Sequence, residues 1–503
     1  MTNINLGRPE VRRYILPVVL AAALLVQPVT AQQAAQAPDA LRQRAAQIAG
    51  NVSTQGRAYD YLREMTDTFG GRLGGSRAYE RSAQWAAEQF RAMGIREVKL
   101  EALQLPNSWE RGWATGRILA PQARPLYVQS MGWSPSTPKG GVRGEVVIID
   151  DVTPEKLRQN AGKLKGRIGL LDFPKIAQGN YLNALFRLIE AYKIFPEVGV
   201  SALLWPDNEN NNVLNAQDGG WGANAHPLPL AQIGKEDALL IQRWLGKGPV
   251  TVEFEFQNQL TGPVTTHNVI AEIRGREKPD EWVMLGAHLD SWDYGTGAQD
   301  NGTGVAMVLE AARAMMATGA APRRSVRFAL WAAEEQGLLG AFAYARAHRE
   351  EMAKCAGYVN TDSGAGHPEG MLVMGRTDLQ KPVQELLDAH MAGLGAAQAS
   401  LGFHFGSDHI PFFLHGVPAF DLDVDGAPYA LVHHKPSDTL DKVNRHQLAA
   451  GAAIVAVMTY ALAERSEPIG PRADRATIEK ILQENKMDPA AVFGRLQQLQ
   501  LWP

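Results

Sequence analysis

The chain has 503 residues, of which 45% are apolar and 20% are charged, and its 53 acidic and 50 basic residues give a net charge of −3. This length exceeds the roughly 250–300 residues at which one hydrophobic core stops growing, so it predicts more than one structural unit. The near balance of charge argues against a nucleic-acid partner. The single cysteine, Cys355, excludes an intrachain disulfide and a cysteine-rich zinc site. Any metal therefore needs histidine and carboxylate ligands.

Residues 1–31 have the pattern of a signal peptide. Three arginines precede the apolar run Ile15–Val26, and the small residues Val29-Thr30-Ala31 follow as a cleavage site. The apolar run is shorter than the ~20 residues that a helix needs to cross a bilayer, which favours removal over anchoring. We therefore expect an exported protein, periplasmic or secreted, with no membrane span after signal removal. Use of a twin-arginine export route stays open.

The segment after the signal peptide predicts a helix, a loop and a second helix. Apolar residues recur at helical spacing from Leu41 to Met93, and the glycine-rich stretch Thr66–Ser76 interrupts them. The pattern then changes, because residues 136–256 hold short apolar runs bounded by turn residues. Such runs predict an inserted, β-rich domain.

Beyond residue 266, predicted strands and helices alternate, which is typical of a mostly parallel sheet flanked by helices. We expect residues 41–135 and 257–470 to form this α/β domain around the insert. The apolar stretch Leu448–Leu462 predicts a buried core helix. The tail, residues 471–503, predicts two amphipathic helices, which either dock on their own domain or contact another subunit.

Acidic residues and histidines follow the predicted strands of this α/β domain. They lie just beyond a strand or in a neighbouring loop: His288, Asp290, Asp300, Glu334, Glu335, Asp362, His433 and His434. Ligand sites in open α/β sheets lie beyond the carboxyl ends of the strands, so we expect these side chains to meet there. Taken singly, each has an ordinary structural explanation, such as a helix cap for Asp300.

Together these residues predict a metal site. Histidine and carboxylate ligands without cysteine suit a divalent ion such as zinc. The candidate ligands are too many for one tetrahedral site that keeps a water, so two metals sharing a carboxylate is the simpler arrangement. The adjacent pair Glu334-Glu335 offers one ligand and one general base, since a base must not be neutralised by coordination. Asp290, two residues after His288, is placed to accept the second imidazole N–H.

Six stretches of the sequence resemble the co-catalytic zinc exopeptidase family of the aminopeptidase and glutamate carboxypeptidase type. They are most similar to its plasma glutamate carboxypeptidase branch. The stretches are Phe69–Ser76, Trp109–Gly112, Gly286–Asp293, Gly297–Gly304, Leu330–Gly337 and His433–Thr439. The resemblance covers nearly the whole mature chain. It implies a zinc exopeptidase fold with a protease-associated domain at the insert. It also implies short peptide substrates and a possible homodimer.

The resemblance further implies two zinc ions per chain. His288 and Asp362 would hold one ion, Glu335 and His434 would hold the other, and Asp300 would bridge them. Glu334 matches the general base, and Asp290 matches the partner of the metal-bound histidine. His433 stands where relatives often have tyrosine, so it is expected to bind substrate as an oxyanion donor.

Four functions remain compatible with the sequence. We favour an exopeptidase that acts on short peptides or dipeptides with a free N-terminus. A glutamate-type carboxypeptidase, which recognises a free C-terminus, is the alternative. A receptor-like binding protein without catalysis is less favoured, because the base and all five ligands are present. A glutaminyl-cyclase-like acyltransferase is also less favoured; it uses a similar site with a single zinc, so metal stoichiometry distinguishes it.

Overall fold

The computed structural model describes residues 29–178, 181–219 and 222–502. Most of the predicted signal peptide therefore lies outside the described residues. The chain divides into two units, residues 1–44 and 45–503, and the described part of the first unit is helical backbone. The sheets and the candidate site belong to the second unit.

The described helices include, in chain order, α1 to α17: Val29–Gln55, Ala58–Phe69, Arg77–Ala92, Pro154–Gln159, Ala161–Leu164, Phe173–Ala177, Tyr181–Ala191, Ile194–Glu197, Lys235–Leu245, Thr303–Ala317, Leu339–Ala347, Thr377–His390, Ile410–Leu414, Ala427–Val432, Arg445–Glu464, Arg475–Glu484 and Pro489–Gln498. The described strands are, in chain order, β1 to β18: Glu97–Leu105, Ser108–Glu110, Ala114–Ala120, Arg124–Pro125, Val128–Ser130, Val142–Ile149, Ile168–Leu171, Ala202–Pro206, Leu230–Ile233, Thr251–Phe256, Gln259–Thr261, Val264–Ile273, Lys278–His288, Arg324–Trp331, Cys355–Asn360, Pro368–Leu372, Gln398–Ser400 and Ala419–Val424.

The first sheet has eight strands in the order β1-β12-β14-β13-β15-β18-β16-β17. Its middle strands β14, β13, β15 and β18 are parallel, so their carboxyl ends meet at one edge. Helices α11 and α13 pack on one face through an aromatic cluster that contains Trp282, Trp331, Tyr344, Tyr358 and Phe412. The predicted α/β sheet flanked by helices is confirmed.

Helix α15 is apolar over most of its length. By length and composition it is the one described helix that could cross a membrane, yet 78% of its most apolar window is buried inside the protein. It packs beside α10 and the central strands. This burial confirms the sequence prediction of a core helix. A helix that is buried on most sides needs no polar face.

A second eight-stranded sheet has the order β4-β3-β10-β6-β7-β8-β9-β5. Its strands β3, β4 and β5 precede residue 136, where the predicted insert begins, and the segment also contains helices α4 to α9. The sequence pattern did not predict that this sheet begins before residue 136, because β3 pairs with β10, which lies more than 120 residues later in the chain. The assignment of this segment as a protease-associated domain stays a prediction, and so do its bounds.

The C-terminal helices α16 and α17 pack on the same chain. Both contribute to an apolar cluster with α13, through residues such as Ile481, Phe493 and Phe413. Each helix begins at an aspartate whose side chain accepts a backbone N–H, Asp474 from Thr477 and Asp488 from Ala490. The tail is thus docked on its own domain, one of the two alternatives expected from sequence.

Candidate active site

The ends of three parallel strands bring four predicted site residues to one edge. His288 is the last residue of β13, and it is paired in register with Trp331, the last residue of β14. Glu334 and Glu335 lie three and four residues after the end of β14, and Asp362 lies two residues after the end of β15. The carboxyl ends of neighbouring parallel strands therefore place these side chains together, as the sequence predicted.

Asp300 lies between the two predicted metal-binding groups. Its Oδ1 is 3.3 Å from Nε2 of His288, and its Oδ2 is 3.3 Å from Nε2 of His434. Each histidine also contacts a second carboxylate: His288 is 3.1 Å from Oδ1 of Asp362, and His434 is 3.0 Å from Oε2 of Glu335. The two oxygens of Asp300 thus face different histidine–carboxylate pairs.

His433 lies beside this arrangement. Its ring stacks on that of His434 at a centroid distance of 3.8 Å, and its Nε2 is 3.6 Å from Oδ2 of Asp300. Asp300, His433 and His434 together form a group compact enough to hold a metal ion, as do His288, Asp300 and Asp362. Geometry alone therefore permits His433 as a ligand as well as a substrate contact.

The carboxylate of Asp290 has a different partner from the one expected. It lies 3.7 Å from Nδ1 of His288, which instead contacts the backbone carbonyl of Asp290 at 2.9 Å. Its two oxygens accept the backbone N–H groups of Glu334 at 3.1 Å and Glu335 at 3.3 Å. The expected hydrogen bond to the imidazole is thus corrected: β13 ends at His288, and these two donors draw the carboxylate toward the Glu334-Glu335 loop.

Asp438 supports Asp300 in the same way. Its Oδ1 accepts the N–H of Gln299 at 2.7 Å, and its Oδ2 accepts the N–H of Asp300 at 3.1 Å. In the sequence, Asp438 is marked only as part of the stretch His433–Thr439, and no function was predicted for it. Burial raises the pKa of both Asp290 and Asp438 to about 6, so both carboxylates are ionised at neutral pH.

Arg72 lies in the glycine-rich loop and is a further residue whose role was not predicted from the sequence. Its guanidinium is fully buried and donates to the backbone carbonyls of Gly70, Leu289, Thr296 and Gly297 at 2.7–3.0 Å. These bonds join the glycine-rich loop to the chain just after His288 and just before Asp300. Burial lowers the pKa of Arg72 to about 10, which still leaves a cation behind the carboxylates.

The ligand candidates line a cavity of about 550 Å³. Its described lining includes the carboxylates of Asp218, Asp300, Glu334, Glu335 and Asp362, but no lysine or arginine. Burial raises the pKa of Glu334 well above its ordinary value and that of Glu335 to about 7. Carboxylates crowded and buried in this way favour their protonated form unless cations offset their charge, and divalent metal ions would do so.

The donor set fits two zinc ions. Oε1 of Glu335 is buried and has no hydrogen-bond partner among the described residues, which is costly unless another group coordinates it. Imidazole nitrogens and carboxylate oxygens are ligands that zinc accepts. A shared carboxylate at Asp300 is what a pair of metals requires.

Three further titratable residues that were not predicted line the cavity: Asp218, His404 and Tyr429. They come from loops and from α14, and no local motif marks them. Burial raises the pKa of Tyr429 well above its ordinary value, so its phenol remains a hydrogen-bond donor.

Comparison with known proteins places the chain among peptidases. The model of peptidase family M28 matches residues 268–459, a range that contains all five predicted ligands. Carboxypeptidase Q of Rattus norvegicus is 31% identical over 431 residues, which are 83% of this chain and 88% of the relative. These matches confirm the resemblance drawn from sequence.

Solved structures give the same result. The peptidase M28 precursor of Shewanella amazonensis SB2B is 31% identical with a TM-score of 0.73, and the match covers 87% of this chain and all of that one. The zinc aminopeptidase BSAP of Bacillus subtilis shares the fold at 19% identity and a TM-score of 0.62, over 83% of this chain and 97% of its own.

Proposed function

The chain belongs to peptidase family M28 and is a metallopeptidase, and from this premise we propose that it is a di-zinc exopeptidase that hydrolyses short peptides with a free N-terminus. The observation that carries the proposal is the position of Asp300, whose two oxygens face His288 and His434 separately. A carboxylate so placed serves two metals better than one.

The proposed ligands divide into two groups around Asp300. His288 and Asp362 would hold one zinc ion, and Glu335 and His434 would hold the other. Zinc supplies a Lewis acid that lowers the pKa of water and polarises a carbonyl oxygen. Asp290 and Asp438 fix the backbone that carries Glu335 and Asp300, so the ligands are held before any ion binds.

Glu334 is the proposed general base. Its carboxylate accepts a proton from the attacking water as the water oxygen bonds to the peptide carbonyl carbon. The C–N bond then breaks, and Glu334 gives the proton to the leaving amine. No side-chain nucleophile is required. His433, with Tyr429 at a ring-centroid distance of 5.0 Å beside it, is placed to donate a hydrogen bond to the carbonyl oxygen.

The charge of the cavity favours recognition of an amine. Asp218 lies on its wall, and the described lining holds no lysine or arginine that would bind a carboxylate. With zinc bound, the charges of the proposed ligand carboxylates are offset, and Asp218, which is not a proposed ligand, would still attract a substrate ammonium group. This supports an aminopeptidase or dipeptidase over a glutamate-type carboxypeptidase.

One observation favours the carboxypeptidase alternative. Nδ1 of His404 lies 3.1 Å from Oδ2 of the buried Asp421, and the ring lines the cavity. Although burial opposes it, the hydrogen bond to Asp421 raises the pKa of His404 above its ordinary value. His404 is thus a cation candidate for a substrate carboxylate. A dipeptide, with both termini free, satisfies Asp218 and His404 together.

Metal analysis and a substrate panel test the proposal. We expect two zinc ions per chain and hydrolysis of unblocked dipeptides and aminoacyl-nitroanilides, with N-blocked dipeptides cleaved far more slowly. Equal cleavage of N-blocked and unblocked dipeptides, with no action on nitroanilides, would support the carboxypeptidase. A single tightly held zinc would contradict the paired site and favour the cyclase-like alternative.

Export is part of the same proposal. The signal-like pattern of residues 1–31 predicts an exported chain that begins near Gln32. N-terminal sequencing of exported protein checks this, and an intact Met1 would contradict it. The possible homodimer stays a prediction, which sedimentation analysis can test.

A further inference from the structure

The C-terminal tail reaches the catalytic cavity. Leu496, on α17, lines the same cavity as His288, Glu334 and His434, although it lies more than 60 residues after the last of them. Its side chain is only 7% exposed. The tail therefore contributes to the cavity wall as well as to the packing of the domain.

Leu496 belongs to an apolar side of the cavity. The apolar residues among the lining are Leu338, Phe342, Phe405, Ile410 and Leu496. All five belong to one cluster, of which Phe405 is a partly buried member. The cavity is thus two-sided: one side carries the carboxylates and histidines, and the other presents aliphatic and aromatic carbon.

The tail is held in place at several points. The Arg346 guanidinium donates to the backbone carbonyl of Gln500 at 3.1 Å, and the ring of Trp502 lies 4.6 Å from that of His415. Trp502 also contacts the ring of Phe493 on α17 at 5.7 Å. Gln500 and Trp502 thus hold the tail after Leu496, and Phe493 before it packs in the apolar cluster. Leu496 is therefore a fixed part of the wall, and the space in front of it has a defined size.

We propose that α17 forms one wall of the substrate pocket and that Leu496 limits the size of the apolar side chain accepted beside the scissile bond. The inference rests on the proposed exopeptidase function and adds a substrate class to it, namely peptides whose terminal residue has an apolar side chain. Burial of such a side chain is favourable, and the size of a pocket sets which one fits. One methylene more or less in a hydrophobic pocket changes selectivity roughly 10–200-fold.

Opposite substitutions at Leu496 give the sharpest test. Leu496→Ala enlarges the pocket and Leu496→Phe reduces it, and kcat/KM is measured for two series of dipeptides, X-Ala and Ala-X, where X is Ala, Leu, Phe or Trp. We expect Leu496→Ala to raise the Trp-to-Leu ratio of kcat/KM about tenfold in one series, and Leu496→Phe to lower it. A role in stability alone would change both variants in the same direction.

Leu482→Ala is the matched control. Leu482 is fully buried in the same cluster, on α16, but it does not line the cavity. The control therefore loses the same packing as Leu496→Ala, while its selectivity should stay within about twofold of the wild type. Thermal unfolding verifies that each variant is folded, and the milder Leu496→Val and Leu482→Val replace the two alanine variants if either is not.

The possible results separate this inference from the function on which it rests. Selectivity unchanged in both series, with Ala-Ala still hydrolysed, would overturn the role of Leu496 and leave the exopeptidase intact. An equal shift in Leu482→Ala would also overturn it. Zinc-loaded wild-type protein that hydrolyses no peptide of the panel would overturn the proposed function, and this inference with it.

Discussion

Glu334 and Glu335 are adjacent, and replacing each by glutamine separates the role of base from that of ligand. Both backbone N–H groups are held by the same carboxylate, that of Asp290, at 3.1 and 3.3 Å. Only Glu335 contacts His434, at 3.0 Å. Each variant is therefore a control for the other, because the same loop and the same support are disturbed.

Glutamine preserves the size of the side chain but cannot accept a proton. Loss of a general base lowers the rate about 10²–10⁴-fold, which corresponds to about 3–5 kcal/mol at 1.36 kcal/mol per tenfold. We expect Glu334→Gln to lose kcat to this extent while KM and zinc content change little. Glu335→Gln removes an anionic ligand, so zinc affinity should fall by more than the roughly 10–100-fold seen when only a supporting group is lost.

Zinc content, kcat and KM of both purified variants test this prediction. Added zinc should restore part of the activity of Glu335→Gln and none of that of Glu334→Gln. If Glu334→Gln loses zinc while Glu335→Gln keeps it with kcat destroyed, the two roles are exchanged. If neither variant changes kcat, the hydrolase mechanism itself is wrong.

Three other predictions follow from contacts around the site and on the surface. Asp438→Asn should weaken zinc binding about 10–100-fold, as measured against a competing chelator, because an amide cannot accept both backbone N–H groups of residues 299 and 300; unchanged affinity would contradict this. Chelation should abolish activity but retain the far-UV circular dichroism signal, since the ligands lie at the edge of an apolar core; global unfolding would show that the metals hold the fold. The hydrogen bond that His348 donates to the carboxylate of Glu101 raises the pKa of His348. This pair therefore stabilises the fold below the ordinary histidine pKa of about 6.5 and loses that effect as pH rises through the raised value. His348→Gln should therefore lower the unfolding midpoint more at pH 5.5 than at pH 9, and an equal loss at both would refute the assignment.

The sequence predicted which candidate ligands lie together, because of how parallel sheets are built. The candidate ligands were expected just beyond predicted strands or in neighbouring loops, and in the structure β13 ends at His288 and β14 at Trp331. Errors of a few residues at the start of a strand do not move its carboxyl end. Polar residues that follow such strands therefore converge, whatever the details of the loops.

The sequence was insufficient where the partner is distant or the segment is short. Strands β16 and β17 have five and three residues, and their pairing depends on neighbours that no local pattern reveals. The second sheet begins with β3 for the same reason. Asp218, His404 and Leu496 come from three separate parts of the chain, so only the folded structure brings them to one cavity.

Asp290 shows that residue spacing predicts which side chains lie near the site more reliably than it predicts their hydrogen-bond partners. Alternation in an extended strand would direct residues 288 and 290 to the same side, but the strand ends at His288. Beyond that point the side-chain direction is set by available donors, and two backbone N–H groups of the next loop are nearer than the imidazole. A pattern of residues cannot predict that competition.

The two supporting carboxylates explain how a cluster of like charges is kept in place. Asp290 and Asp438 each accept two successive backbone N–H groups, one pair in the Glu334-Glu335 loop and one in the loop of Asp300. A buried carboxylate needs such donors, and the loop needs a fixed acceptor, so each satisfies the other. The backbone that carries the proposed ligands Glu335 and Asp300 is thus held in place before any cation binds. Because this support acts on the backbone, neutral replacements at Asp290 or Asp438 should misplace the ligands without removing any of them.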